Sequence, residues 1–168
     1  MVASVTVKTN SIQLSKEFKN IQRKFPSAIK RALANVSAFQ IANIKDRTQR
    51  KGVSVNGSPF KPYSKGYRRR LVKQSGVVDL TDTGQMFSSL TSKITPSKGT
   101  LFFRQAQANK KAFYHDIAGA GKSRVVRPFF SINDREADKI GQLFADKIFK
   151  DIGLWALEKI SLLILSTH

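Results

Sequence analysis

Asp79-Leu80-Thr81-Asp82-Thr83-Gly84-Gln85-Met86-Phe87-Ser88-Ser89-Leu90 is the stretch at which the chain changes character. Before it lie helical periodicity and loop; after it come short strands and a closing helix. Thr81 and Asp82 carry oxygens that can accept from free backbone N–H groups, Gly84 allows a bend, and Met86, Phe87 and Leu90 offer apolar anchors at helical spacing. The pattern predicts a turn, then one or two helical turns, leading into a strand. An ordinary capped turn with no role beyond topology is a sufficient reading of the segment taken alone.

Upstream, Val2 to Val7 alternates apolar and polar residues and predicts a short strand with Thr9-Asn10-Ser11 as its turn. Leu14, Phe18, Ile21 and Phe25 share one helical face behind a possible Ser15 cap, and Pro26, which suits a first helical turn, is expected to open a second helix. Ile29, Leu33, Val36, Phe39 or Gln40, and Ile44 continue that second stripe to about Thr48, supported by Ala28, Ala32, Ala34, Ala38 and Ala42. Gly52 marks its end.

Residues 50 to 78 are different: Gly52, Gly57, Pro59, Pro62 and Gly66 break regular structure, and Phe60, Tyr63 and Tyr67 sit among cations. Lys45, Arg47, Arg50, Lys51, Lys61, Lys65, Arg68, Arg69, Arg70 and Lys73 face Asp46 alone. The reading is a long basic loop with at most a short helix, which orders against a partner.

Downstream, Leu90–Thr95 and Thr100–Ala106 read as two strands joined by Pro96-Ser97-Lys98-Gly99. Asn109 to Ile117 predicts a helical turn, Gly119-Ala120-Gly121 a flexible loop, and Val125 to Ile132 an extended segment. Asn133 and Glu136 have capping-box spacing, ahead of a stripe of Ala137, Ile140, Phe144, Ile148, Ile152 and Trp155. Beyond Gly153 the chain is strongly apolar. Trp155, Leu162, Leu163 and Leu165 are candidate subunit-interface residues, with folding back onto the chain's own core as the alternative.

A length of 168 residues fits one domain, and chains of this size bury roughly two thirds of their unfolded surface. The expected architecture is α+β: a small antiparallel sheet packed against a long N-terminal helix and a C-terminal helix, with residues 1–152 as the domain and 153–168 as an apolar extension. Thirty Lys and Arg against 11 Asp and Glu give a formal charge of +19, which suits an anionic partner and makes self-repulsion a cost. With no cysteine, disulfides and thiolate metal sites are excluded. Met1 to Asn10 lacks the pattern of a secretory signal, and Leu154 to Leu165 is too short to span a bilayer, which takes about 20 apolar residues.

Catalytic signatures fail on inspection. Gly119-Ala120-Gly121-Lys122-Ser123 has the composition of the end of a phosphate-binding loop, yet the pattern GxxxxGK[ST] needs glycine where Asp116 stands, and Arg124 to Pro128 does not read as the required helix. Only His115 and His168 could serve a triad; His115 precedes Asp116, and adjacent helix residues do not face each other, so it reads as a surface or interface histidine. Asp79 and Asp82 lack a third ligand for magnesium. The expectation is a chain that is not an enzyme, with no cofactor and no metal.

Several stretches together resemble the virion morphogenesis and tail completion proteins of tailed bacteriophages. They are Gly57-Ser58-Pro59-Phe60-Lys61-Pro62-Tyr63-Ser64 with Tyr67; Leu80 to Met86 with Ser88-Ser89-Leu90; Phe113-Tyr114-His115 followed by Gly119; and Arg127-Pro128-Phe129-Phe130 before a closing helix. The third is shifted, because Tyr114 abuts His115, and the tail after Gly153 runs past where the family is expected to stop.

The resemblance implies a structural protein of the virion, made in the bacterial host cytoplasm. It would form a homo-oligomeric, six-fold ring that completes or terminates the tail, or sits at the head-tail (neck) junction. Its partners would be neighbouring neck, connector or tail-tube proteins, with transient contact to packaged DNA and no membrane. Lys61, Tyr63, Tyr67, Arg68, Arg69 and Arg70 would face a neighbouring subunit or DNA. The alternative is a free nucleic-acid-binding module, with the cations of residues 45–73 on phosphates and Phe60, Tyr63 and Tyr67 available for stacking.

Overall fold

The computed structural model describes residues 11–70 and 77–153, with the side chains of 11–14 left aside. The fold is α+β, as the sequence leads one to expect. Its elements are α1 (Ser11–Lys45), α2 (Lys65–Arg68), α3 (Gln85–Ser88), β1 (Leu90–Ile94), β2 (Gly99–Phe103), α4 (Ala106–Phe113) and α5 (Asp134–Ile152). Single π-helical turns, Asp46–Arg50 and Tyr114–Ala118, extend α1 and α4. The strand expected over residues 2–7 and the apolar tail, including Trp155, Leu162, Leu163 and Leu165, lie outside the described residues.

Pro26 does not start a second helix; it sits inside one continuous α1. Proline removes the N–H that would bond the Gln22 carbonyl one turn back, and the neighbouring Ser27 Oγ donates to the Lys24 carbonyl at 2.8 Å. Ser15 lies one turn inside α1 and is no cap. The apolar stripe of the first half is also not buried within the described subunit: Phe18 is 64% and Phe25 42% exposed. Burial begins at Ala28 and Ala32, whose small side chains let α5 approach and pack Ile148 and Ile152 against them. Glu136 lies beside Gln40 and Arg47, whereas Asp151 pairs with Arg31, so α5 runs antiparallel to α1.

The organising stretch folds as its spacing predicts, but its caps differ. Gln85–Ser88 forms one helical turn and β1 starts at Leu90. Gly84, at φ 74°, caps the turn through its backbone freedom, without a side-chain bond. Asp79, and not Asp82, supplies the carboxylate: its Oδ1 accepts from the Thr81 N–H at 3.0 Å. Leu80 adopts a left-handed φ of 51°, uncommon for a non-glycine residue. Its buried side chain and an N–H bond to the Tyr63 hydroxyl, 3.0 Å, hold it there.

β1 and β2 form an antiparallel hairpin with Leu90 opposite Phe103 and Ile94 opposite Gly99. The core gathers on one side of it: Ile44, Phe60, Leu80, Met86, Phe87, Leu90, Phe103 and Phe129 pack together. Phe129 is fully buried, with its ring edge-on to Phe87 at 5.6 Å and to Phe103 at 6.3 Å. The Asn133–Glu136 capping box forms as predicted and starts α5.

Candidate basic-aromatic cleft

The loop after α1 is not structureless. Gly52 and Phe60 are joined by a 2.9 Å backbone hydrogen bond and Val53 bridges to Pro59, which delivers residues 61–64 to the surface next to the extended segment 125–130. Ser64 then caps α2, its Oγ accepting from the Tyr67 N–H at 3.3 Å. This single helical turn brings the Tyr63 and Tyr67 rings to 5.0 Å between centroids.

Arg127 anchors the opposite wall. Its Nε donates to the Lys61 carbonyl at 3.0 Å and its Nη2 to the Pro62 carbonyl at 3.1 Å. Its guanidinium lies 5.2 Å from the Tyr63 ring centroid, within cation–π range. Its backbone N–H donates to the His115 carbonyl at 2.7 Å, tying the segment to the π-helical turn. Asp116, one residue on, accepts from the N–H groups of Phe129 and Phe130 at 2.7 and 3.0 Å. The sequence reading found no role for this carboxylate; the structure gives it two buried backbone donors to satisfy.

The segment 119–125 is a tight turn. Ala120 and Val125 exchange both backbone hydrogen bonds, at 3.0 and 3.3 Å, and Arg124 N–H closes on the Gly121 carbonyl at 3.2 Å. Gly119 has φ 85°, and a Cβ there would run into the Arg124 backbone, so glycine is required twice over. No helix follows Lys122-Ser123, which agrees with rejecting the phosphate-loop signature.

Between these walls lies a cavity of about 680 Å³, lined among others by Tyr63, Tyr67, Arg70, His115, Lys122 and Arg127. No carboxylate lines it among the described residues; Asp82 lines a smaller neighbouring cavity of about 150 Å³ that shares Tyr63, Tyr67 and His115. Burial pushes the Tyr63 phenol up to about 12 and, with the positive charge of Arg127 and Lys111 nearby, holds the His115 imidazole down at about 4. Burial also lowers Arg127 and raises Tyr67 from their ordinary values. At neutral pH the cleft thus presents arginine and lysine charge, neutral phenols and a neutral imidazole. His115 Nδ1 is buried without a hydrogen-bond partner, so no carboxylate orients the ring as in a catalytic relay. Among the described residues no group of three or more His, Asp or Glu is placed to hold a metal ion.

Of the loop residues singled out by sequence, Tyr63, Tyr67 and Arg70 converge on the cleft, while Arg68 and Arg69 are exposed and do not line it. Lys61 contributes its carbonyl. Phe60 is unavailable for stacking because it is buried in the core. Arg47 is not a free cation either: it is buried, bound to Glu136 and to the carbonyls of Phe129 and Ser131. Arg50 and Lys51 share Asp46. His115, read from the sequence as a surface or interface histidine, is half-buried in the cleft wall. Lys122, His115 and Arg127 join the site from across the fold; the sequence marked each segment separately, but nothing in it placed them beside Tyr63 and Tyr67.

Of the 11 acidic residues, Asp46, Asp79, Asp116, Glu136 and Asp151 bind groups of their own chain. Glu17, Asp134, Asp138 and Asp146 are exposed, too few to offset a charge of +19. No helix of the described residues is long and apolar enough to cross a membrane. Comparison of the chain with models of known families, with curated proteins and with solved structures finds no match.

Proposed function

We propose that the chain is a structural subunit of a tailed-phage virion, forming a ring that completes or terminates the tail or sits at the neck, with DNA passing through. The observation that carries the reading is a pair of dissimilar apolar patches. One is the first half of α1, with Phe18 and Phe25 exposed; the other is the α4 side of the hairpin, where Phe102, Phe113 and Ile117 are exposed around a cavity of about 190 Å³. Cyclic rings need two different surfaces that meet head to tail, and large exposed apolar groups suit protein contact. The resemblance to the tail completion family supports the same conclusion, because Arg127-Pro128-Phe129-Phe130 and Leu80 to Leu90 are the segments that build the core and the cleft wall.

Light scattering and negative-stain electron microscopy on the full chain test the proposal. Rings are expected with rising concentration. Phe18→Ser and Ile117→Ser should each abolish them, while an equimolar mixture of the two variants should stop at dimers, because each retains one intact face. A monomer at every concentration, or a two-fold dimer that both variants still form, overturns the ring.

A further inference from the structure

We propose that the cleft between α2 and the Gly119–Val125 turn binds a nucleotide, its phosphate held by Arg70, Lys122 and Arg127 and its base lying on Tyr67. The inference goes beyond the ring reading and stands apart from it: a monomer could bind a nucleotide, and a ring could fail to.

The charge is uncompensated where the ligand would sit. Three cations and no carboxylate line the cavity among the described residues, and neither Arg70 nor Lys122 has a side-chain hydrogen bond or ion pair there. Like charges gathered without a counterion repel, and an anion relieves that repulsion. The turn adds dipoles to the charges. The N–H groups of Gly121, Lys122 and Ser123, three in succession, are bonded to no acceptor among the described residues, although the flanking N–H groups of Ala120, Arg124 and Val125 all are. Successive free N–H groups at a turn form an anion-binding concavity. Gly121 at φ 73° and Arg124 at φ 46° give the turn its shape.

The aromatic side selects among anions. The Tyr63 ring is covered by Arg127, but Tyr67 is 42% exposed and lines the same cavity. A base has an aromatic face to stack on such a ring, and a carboxylate side chain has none. A volume of about 680 Å³ lies within the usual range for a small-molecule site. A duplex keeps its bases stacked inside and offers only phosphates, so a free nucleotide or a single strand fits better. The Gly119-Ala120-Gly121-Lys122-Ser123 segment therefore retains phosphate chemistry without the helix that the common phosphate-binding loop uses.

Calorimetric titration of the full chain at about 0.3 M salt, where nonspecific phosphate binding is weak, tests this. The probes are thymidine monophosphate, pyrophosphate, an oligothymidylate strand, a duplex of equal length and a polyglutamate peptide. The monophosphate or the strand should bind best, and which of the two binds tells a free nucleotide from a strand as the source. Tyr67→Ala and the pair Arg70→Glu with Lys122→Glu should each weaken binding at least about tenfold, whereas Lys93→Glu with Lys98→Glu on the hairpin should leave it unchanged. Should the cleft variants misfold, the unaltered chain still decides: a bound phosphate should raise the His115 titration midpoint, followed by NMR. Absent binding, equal losses from the hairpin and cleft charge swaps, polyglutamate binding as tightly as nucleotide, or an unmoved His115 midpoint overturns the proposal.

Discussion

Arg47 and Glu136 form a buried ion pair, Nη1 to Oε1 at 2.5 Å, that locks the end of α1 to the first turn of α5. Their side chains are 7% and 14% exposed. The Arg47 Nη2 also donates to the carbonyls of Phe129 and Ser131, and Glu136 Oε2 accepts from Gln40 Nε2 at 3.1 Å. One guanidinium thus holds the long helix, the closing helix and the strand-like segment that supplies Arg127 to the cleft.

Removing one partner of such a pair leaves an uncompensated buried charge, which costs about 3–5 kcal/mol. Arg47→Met should lose that much in urea denaturation. Glu136→Gln should lose less, because glutamine keeps the capping-box bond to the Asn133 N–H. Combining the two should recover part of the Arg47→Met loss. A cost below about 1 kcal/mol for Arg47→Met would mean that the pair does not lock the helices.

His115 makes stability depend on pH in a stated direction. Its folded value is depressed to about 4, below the ordinary 6.5. Above the ordinary value both states are neutral and the group contributes nothing. As pH falls from about 6.5 toward 4, the unfolded chain takes up a proton that the folded chain refuses, so stability drops, by up to about 3 kcal/mol once both states titrate. His115→Phe should flatten that part of the stability profile relative to the unaltered protein. Parallel profiles between pH 4 and 6.5 would show that the imidazole titrates normally.

Pro26→Ala should act locally. The substitution restores an N–H inside α1, worth up to about 3 kcal/mol of helix propensity, and should slow amide exchange over residues 15–25 and raise far-ultraviolet helicity. The urea midpoint should hardly move, because Phe18 and Phe25 of that half bury little against the described subunit. A large rise in global stability would reveal that the first half of α1 unfolds together with the core.

Local chemistry was legible in the chain itself. The Asn133–Glu136 box, the helical turn from Gln85 into β1 and the hairpin connection around Pro96-Ser97-Lys98, with Gly99 already in β2, depend on neighbours within a few residues, so spacing suffices to read them. Pro26 misled because proline costs a helix one N–H bond and some crowding without necessarily ending it, and α1 runs on through it.

The sequence by itself determined the helical and extended periods, the excess of positive charge and the basic, aromatic character of the loop around Tyr63 and Tyr67. Tertiary structure alone decided which charges are free. Arg47 and Arg127 look alike in a list of cations, and both are buried, yet one is neutralised by Glu136, 89 residues away, while the other meets only carbonyls and the Tyr63 ring beside a cleft. Burial and long-range pairing depend on how distant segments meet, and no local pattern records that meeting.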